Sequence, residues 1–160
     1  MLYHRWIPLL LVLLSVQVSA EFKPFQADSL KEIQERYQGQ AFLLTLWSLE
    51  CSPCLRELDM LSRWVEKYPG QNIVLISTDD PSVADKAWQL IKKYKLAKLD
   101  SWIFSDQFTE RLRYNIDPNW HGELPRSYFY SSNHERHGHS GALSEQMLKS
   151  WAGQLNATGL

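Results

Sequence analysis

The two cysteines of this chain, Cys51 and Cys54, sit in one four-residue window, Cys51-Ser52-Pro53-Cys54. A disulfide between them closes a very small ring and adds little to the stability of a whole domain. Proteins stapled by disulfides spread their cysteines over distant loops. Reactivity therefore explains this pair better than stapling. A thiolate is the nucleophile of disulfide exchange, and whatever favours that anion raises the reactive fraction. Structural zinc is a poor alternative, because it takes four ligands and no second cysteine pair or paired histidine cluster lies at the usual spacing.

The elements around the pair suit that chemistry. Residues 41–47 (AFLLTLW) form a continuous apolar run with one threonine, the pattern of a strand buried on both faces. From Ser52 to Tyr68, Leu55, Leu58, Met60, Leu61, Trp64 and Val65 recur at helical spacing, and Pro69-Gly70 ends the segment. Cys51 thus falls where a strand ends and a helix begins. Unpaired N–H groups and the helix dipole favour negative charge there. Pro53, in the first helical turn, forfeits no hydrogen bond and stiffens the link between the sulfurs.

The spacing predicts further helices over 29–37, 82–94, 107–114 and 144–155. It predicts strands over 72–77, 101–104 and 127–131, with a turn at Ser132-Asn133 leading into a polar strand up to His139. Alternating strands and helices imply a parallel sheet covered on both faces, and the terminal hairpin makes it mixed. The expected class is α/β, in one domain over residues 21–160.

Residues 1–20 have the three-part layout of a secretory signal peptide. His4 and Arg5 are followed by an apolar run from Trp6 to Leu14 and by small residues at Val18-Ser19-Ala20. We expect cleavage after Ala20 and a periplasmic or secreted protein. A retained anchor is the alternative, for which the run is short against the roughly 20 residues of a membrane span. The net charge of -1 gives no basic field for nucleic acid.

With these motifs in place, the chain resembles the thioredoxin-like superfamily. Leu46-Trp47-Ser48-Leu49-Glu50-Cys51-Ser52-Pro53-Cys54 is similar to that family's active-site segment. Leu124-Pro125 and the strand after it resemble its cis-proline loop, and Gly141-Ala142-Leu143-Ser144 resembles its last glycine and helix start. Within the superfamily the closest resemblance is to the periplasmic TlpA/ResA group, through Cys54-Leu55-Arg56-Glu57, the long stretch between Thr78 and Pro118, and Gly122-Glu123-Leu124-Pro125.

The resemblance implies a thiol–disulfide oxidoreductase with a thioredoxin-like fold, a central mixed sheet flanked by helices on both faces. It implies attack by Cys51 and resolution by Cys54, a cis Leu124–Pro125 bond beside the Cys51 sulfur, and support from Trp47 and Pro53. Protein disulfides or dithiols would be the substrates, a membrane thiol carrier the electron donor, and cytochrome c maturation one setting. No cofactor or resident metal is implied, and we expect a monomer. Two acids are candidates for proton transfer: Glu50, nearest in sequence, and Asp80, just after the central strand. There are departures from the pattern. Thr45 stands where thioredoxin has a buried aspartate, Asp59 where the group has proline, and Glu50 where an aromatic is common.

Other readings remain open at this stage. A reduced dithiol could hold Cu(I) as a copper-binding chaperone, or the pair could serve an oxidase or isomerase. His134, His137 and His139 form a tract that could bind metal or simply edge a hairpin. Trp102, Tyr114 and Trp120 are core or groove candidates, with Trp120 expected near the active surface. Asn156-Ala157-Thr158 is formally a glycosylation acceptor.

Overall fold

A computed structural model describes residues 21–157, with side chains described as far as residue 153. The leader expected over residues 1–20 lies outside the described residues, as does part of the Asn156-Ala157-Thr158 acceptor.

Among the described residues, six strands form one mixed sheet, and helices cover both faces. In chain order they are β1 (Lys23–Phe25), α1 (Ser29–Arg36), β2 (Phe42–Trp47), α2 (Ser52–Lys67) and β3 (Ile73–Ser77). A 3-10 turn (Pro81–Val83) leads into α3 (Ala84–Lys93), β4 (Asp100–Phe104), α4 (Thr109–Ile116), β5 (Arg126–Tyr130), β6 (Arg136–Ser140) and α5 (Glu145–Ala157). The strand order is β1-β4-β3-β2-β5-β6. The first four run parallel, β5 pairs antiparallel with β2, and β6 pairs antiparallel with β5.

Strand β2 is buried from end to end. Its side chains alternate between two apolar layers. Phe42, Leu44 and Leu46 pack with Ile33 of α1 and with Leu112 and Ile116 of α4. Leu43 and Trp47 face the opposite layer, with Cys54, Leu58, Leu61 and Trp64 of α2, Ala87 and Ile91 of α3, and Leu148 and Trp151 of α5. Each such large apolar side chain gains about 2 kcal/mol by leaving water. The cysteine-bearing helix is thereby clamped to the centre of the sheet.

Three differences from the sequence reading have identifiable causes. Strand β1 was not expected. Its three residues contain Pro24, and it is specified from afar: it pairs with β4, and Phe25 stacks on Phe104 at 5.5 Å. Helix α4 starts two residues later than its spacing suggested, because the Phe108 N–H donates to Asp106 Oδ1 at 2.9 Å and holds a turn there. Helix α3 likewise begins after the 3-10 turn that Asp80 caps through a 2.8 Å bond from the Ser82 N–H.

The predicted hairpin forms. In its turn, His134 takes a φ of 62°, and its Nε2 lies 3.0 Å from the Tyr37 carbonyl oxygen. Gly141 follows β6 at φ 96°, a backbone shape that a side chain would strain.

Candidate active site

The site is assembled where β2 runs out. Trp47 closes the strand, almost wholly buried, and its carbonyl accepts the Thr78 N–H at 2.9 Å, tying the end of β2 to the end of β3. The bend that follows is fixed by Asp79, whose carboxylate accepts the Leu49 N–H at 3.0 Å and the Ser77 hydroxyl at 2.7 Å. Helix α2 then starts with Cys51 as its N-cap. The backbone there is extended, and Sγ accepts the Cys54 N–H at 3.2 Å. Sulfur thus occupies the place usually taken by a capping oxygen, where orphan N–H groups and the dipole favour an anion by about 0.3–1 kcal/mol. Pro53 lies in the first turn, as expected.

Cys51 and Cys54 are joined as a disulfide. Cys54 is completely buried, whereas Cys51 is partly exposed. Only one sulfur of the pair is open to a partner, and it is the one at the helix terminus.

The Leu124–Pro125 bond is cis. Leu124 packs against the apolar layer that also carries Cys51, Leu49 and Cys54. Two hydrogen bonds brace this loop: the Trp120 indole N–H donates to the Glu123 carbonyl at 2.9 Å, and the Gly141 N–H donates to the Pro125 carbonyl at 2.9 Å. Trp120 itself is buried in the core, so it serves the loop from beneath rather than lining a groove. Trp102 is core as well, and Tyr114 is exposed.

The two acids chosen from sequence are surface groups. Glu50 is exposed. Asp80 is also exposed, and its hydrogen bonds from Ser82 hold its carboxyl below the usual carboxylate range. The acid built into the site is Glu57, only 3% exposed. It stands three residues after Cys54, on the same face of α2. Its Oε1 accepts the Thr45 hydroxyl at 2.6 Å and its Oε2 accepts the Leu143 N–H at 2.7 Å. The Thr45 and Ser127 hydroxyl oxygens are 2.8 Å apart. Burial pushes the Glu57 carboxyl above its ordinary value, and the hydrogen bonds pull it part of the way back. A signal for Glu57 was present in the sequence. It is a charged residue on the apolar stripe that Cys54, Leu58 and Leu61 define, and such a residue needs partners inside.

The three histidines are not brought together as ligands. His134 turns to Tyr37, while His137 and His139 lie on β6. Among the described residues, no three His, Cys, Asp or Glu side chains gather as a metal site.

No family model matches the chain, and no curated protein matches it in sequence. Solved structures do. A secreted disulfide oxidoreductase of Mycobacterium tuberculosis, homologous to E. coli DsbE, superposes with a TM-score of 0.60 at 21% identity, over 76% of this chain and 86% of that one. StoA from Bacillus subtilis gives 0.56 at 20% identity, over 72% and 84%. The thioredoxin domain of a thiol-disulfide oxidoreductase from Bacteroides vulgatus gives 0.58 at 15% identity, over 75% and 81%. By its fold the chain is therefore thioredoxin-like, and the structures it resembles include thiol–disulfide oxidoreductases.

Proposed function

We propose that this protein is a thiol–disulfide oxidoreductase that reduces disulfides of exported proteins. The observation that carries the reading is the asymmetry of the pair: a partly exposed Cys51 capping α2 and a fully buried Cys54 one turn along. The Cys51 thiolate attacks one sulfur of a substrate disulfide. A Cys51–substrate bond forms, and the other substrate sulfur leaves as a thiolate. Cys54 then gives up its proton and attacks Cys51. The internal disulfide closes, and the second substrate thiolate is released. The substrate gains two electrons and the protein loses two. An external dithiol, which we take to be a membrane thiol carrier, restores the reduced pair.

Glu57 is the group placed to take the Cys54 proton, and its raised affinity for protons suits that exchange. The backbone at Leu124 offers an extended substrate segment a strand to pair with. Trp47 and Pro53 hold the cysteine turn in place. Glu50 and Asp80 remain outside the proton route.

Export is supported by the leader-like residues 1–20 and by the secreted character of the Mycobacterium relative. Among the described residues, no helix is long and apolar enough to cross a membrane. We assign the protein to the periplasm or the exterior, acting as a monomer, with cytochrome c maturation as one setting.

Trapping tests this directly. Cys54→Ser leaves the attacking sulfur but removes the resolving one, so mixed disulfides should accumulate on Cys51 and survive non-reducing electrophoresis. Recovery of the variant free of adducts, after incubation with a disulfide substrate that the wild-type protein reduces, would refute the division of labour.

A further inference from the structure

Thr45 is the one hydroxyl in an otherwise apolar strand, and it is completely buried. Ser127, opposite it in the β2–β5 register, is equally buried. Neither belongs there for packing alone, since each carries a polar group into the driest part of the molecule. Among the described residues, the two are satisfied only through one another and Glu57. The contacts run from the carboxyl Oε1 to Thr45 Oγ1 at 2.6 Å, and from Thr45 Oγ1 to Ser127 Oγ at 2.8 Å. The second oxygen of Glu57 is held by the Leu143 N–H in the β6–α5 connection. The groups that bond to Glu57 are Thr45 from β2, Ser127 from β5 and this backbone amide, and Cys54 lies one turn earlier on the same buried face of α2. Burial raises its proton affinity and the hydrogen bonds lower it.

We propose that Thr45 and Ser127 are positioning residues, a reversible hydroxyl relay that lets the buried Glu57 gain and lose its proton without any heavy atom moving. It rests on the proposed thiol–disulfide exchange, in which Glu57 receives the Cys54 proton. With Glu57 ionised, the Ser127 hydroxyl donates to Thr45 and the Thr45 hydroxyl donates to Oε1. With Glu57 protonated, Oε1 becomes the donor and both hydroxyls rotate. Thr45 then accepts from Glu57 and donates to Ser127. The Leu143 N–H serves Oε2 in both states. A single hydroxyl oxygen can donate or accept by rotating its hydrogen, which an ammonium or a backbone N–H cannot. Each donor in the ionised state strengthens the next, so loss of either hydroxyl weakens support for the carboxylate.

The experiment follows the Glu57 carboxyl by carbon-13 NMR in the folded protein, alongside the pH profile of model-peptide disulfide reduction. It uses the wild type, Thr45→Val, Thr45→Ser and Ser127→Ala. Thr45→Val should move the titration upward by about one pH unit, the worth of a hydrogen bond to a charged group. The acid limb of the rate profile should move with it. Ser127→Ala should give a smaller shift of the same sign, and Thr45→Ser should restore the wild-type curve. Folded variants that titrate as the wild type does would overturn the relay. If Thr45→Val does not fold, Ser127→Ala decides alone, and an unmoved titration overturns the proposal. Absence of exchange in the wild type would instead strike the functional reading, because the carboxyl titration still tests the relay.

Discussion

Cys51→Ser should lower disulfide reduction by about three orders of magnitude or more while the sheet and helices persist. The serine hydroxyl is a far weaker nucleophile than a thiolate and forms no disulfide intermediate, so the first step of exchange is lost rather than slowed. The fold should tolerate the change for two reasons. First, the internal disulfide spans a sequence separation of only three. Opening so small a ring costs about 2 kcal/mol by chain entropy, against a typical stability of about 5–15 kcal/mol. Second, a serine oxygen at the N-cap can still accept the Cys54 N–H that Sγ accepts now. The measurement is reduction of insulin or a model peptide, paired with circular dichroism and thermal melting. Retained activity in the folded variant would place the chemistry elsewhere. A variant that fails to fold would mean that the pair is structural.

The second large effect concerns Glu57. In Glu57→Gln the amide can still accept the Leu143 N–H and donate to Thr45, so the buried contacts survive, but the side chain no longer carries a proton. Loss of that exchange should slow turnover by about a hundredfold. The mixed disulfide should build up transiently, because resolution by Cys54 is the step that suffers.

Stability should respond in the opposite sense. Burial raises the folded-state value of Glu57 above its ordinary 4.5. Below that ordinary value the carboxyl is protonated in both the folded and the unfolded chain, and its contribution is fully present. Between the ordinary and the raised value, the folded protein keeps a proton that the unfolded chain has released. Stability therefore falls as pH rises through that window. Glu57→Gln should flatten this decline and be the more stable protein on the alkaline side. Denaturant titrations of both proteins across that range will show whether the slopes diverge. Parallel slopes would mean that Glu57 does not change charge inside the fold.

Much of this architecture could be read from local pattern. The buried runs of β2 and β3 and the apolar stripe of α2 bury what their periodicity said they would. The cysteine turn lies at the junction of β2 and α2, where the change of period put it. What stayed hidden depended on distant partners. Strand β1 is three residues long and becomes a strand only against β4. Sequence proximity points to Glu50, and the end of the central strand to Asp80, as candidate acids. The acid that is buried is Glu57, on the inner face of α2, where it meets Thr45 and the amide of Leu143 and, through Thr45, Ser127. Those three come from two strands and a late connection, and no window of sequence shows them as neighbours. The absence of the usual aspartate at Thr45 was visible. That Thr45 would hand its hydroxyl to a helical glutamate was not.

The burial of Cys54 beneath a partly exposed Cys51 has a kinetic consequence. In the proposed cycle, with a single doorway, the disulfide partner that is reduced and the dithiol partner that recharges the protein must use the same sulfur, and they must take turns. No ternary complex can form. Steady-state rates should then trace the parallel double-reciprocal lines of a ping-pong cycle, and an excess of either partner should inhibit by occupying the form of the enzyme meant for the other. The throughput of such a protein is set by the ratio of its two partners as much as by the strength of either one.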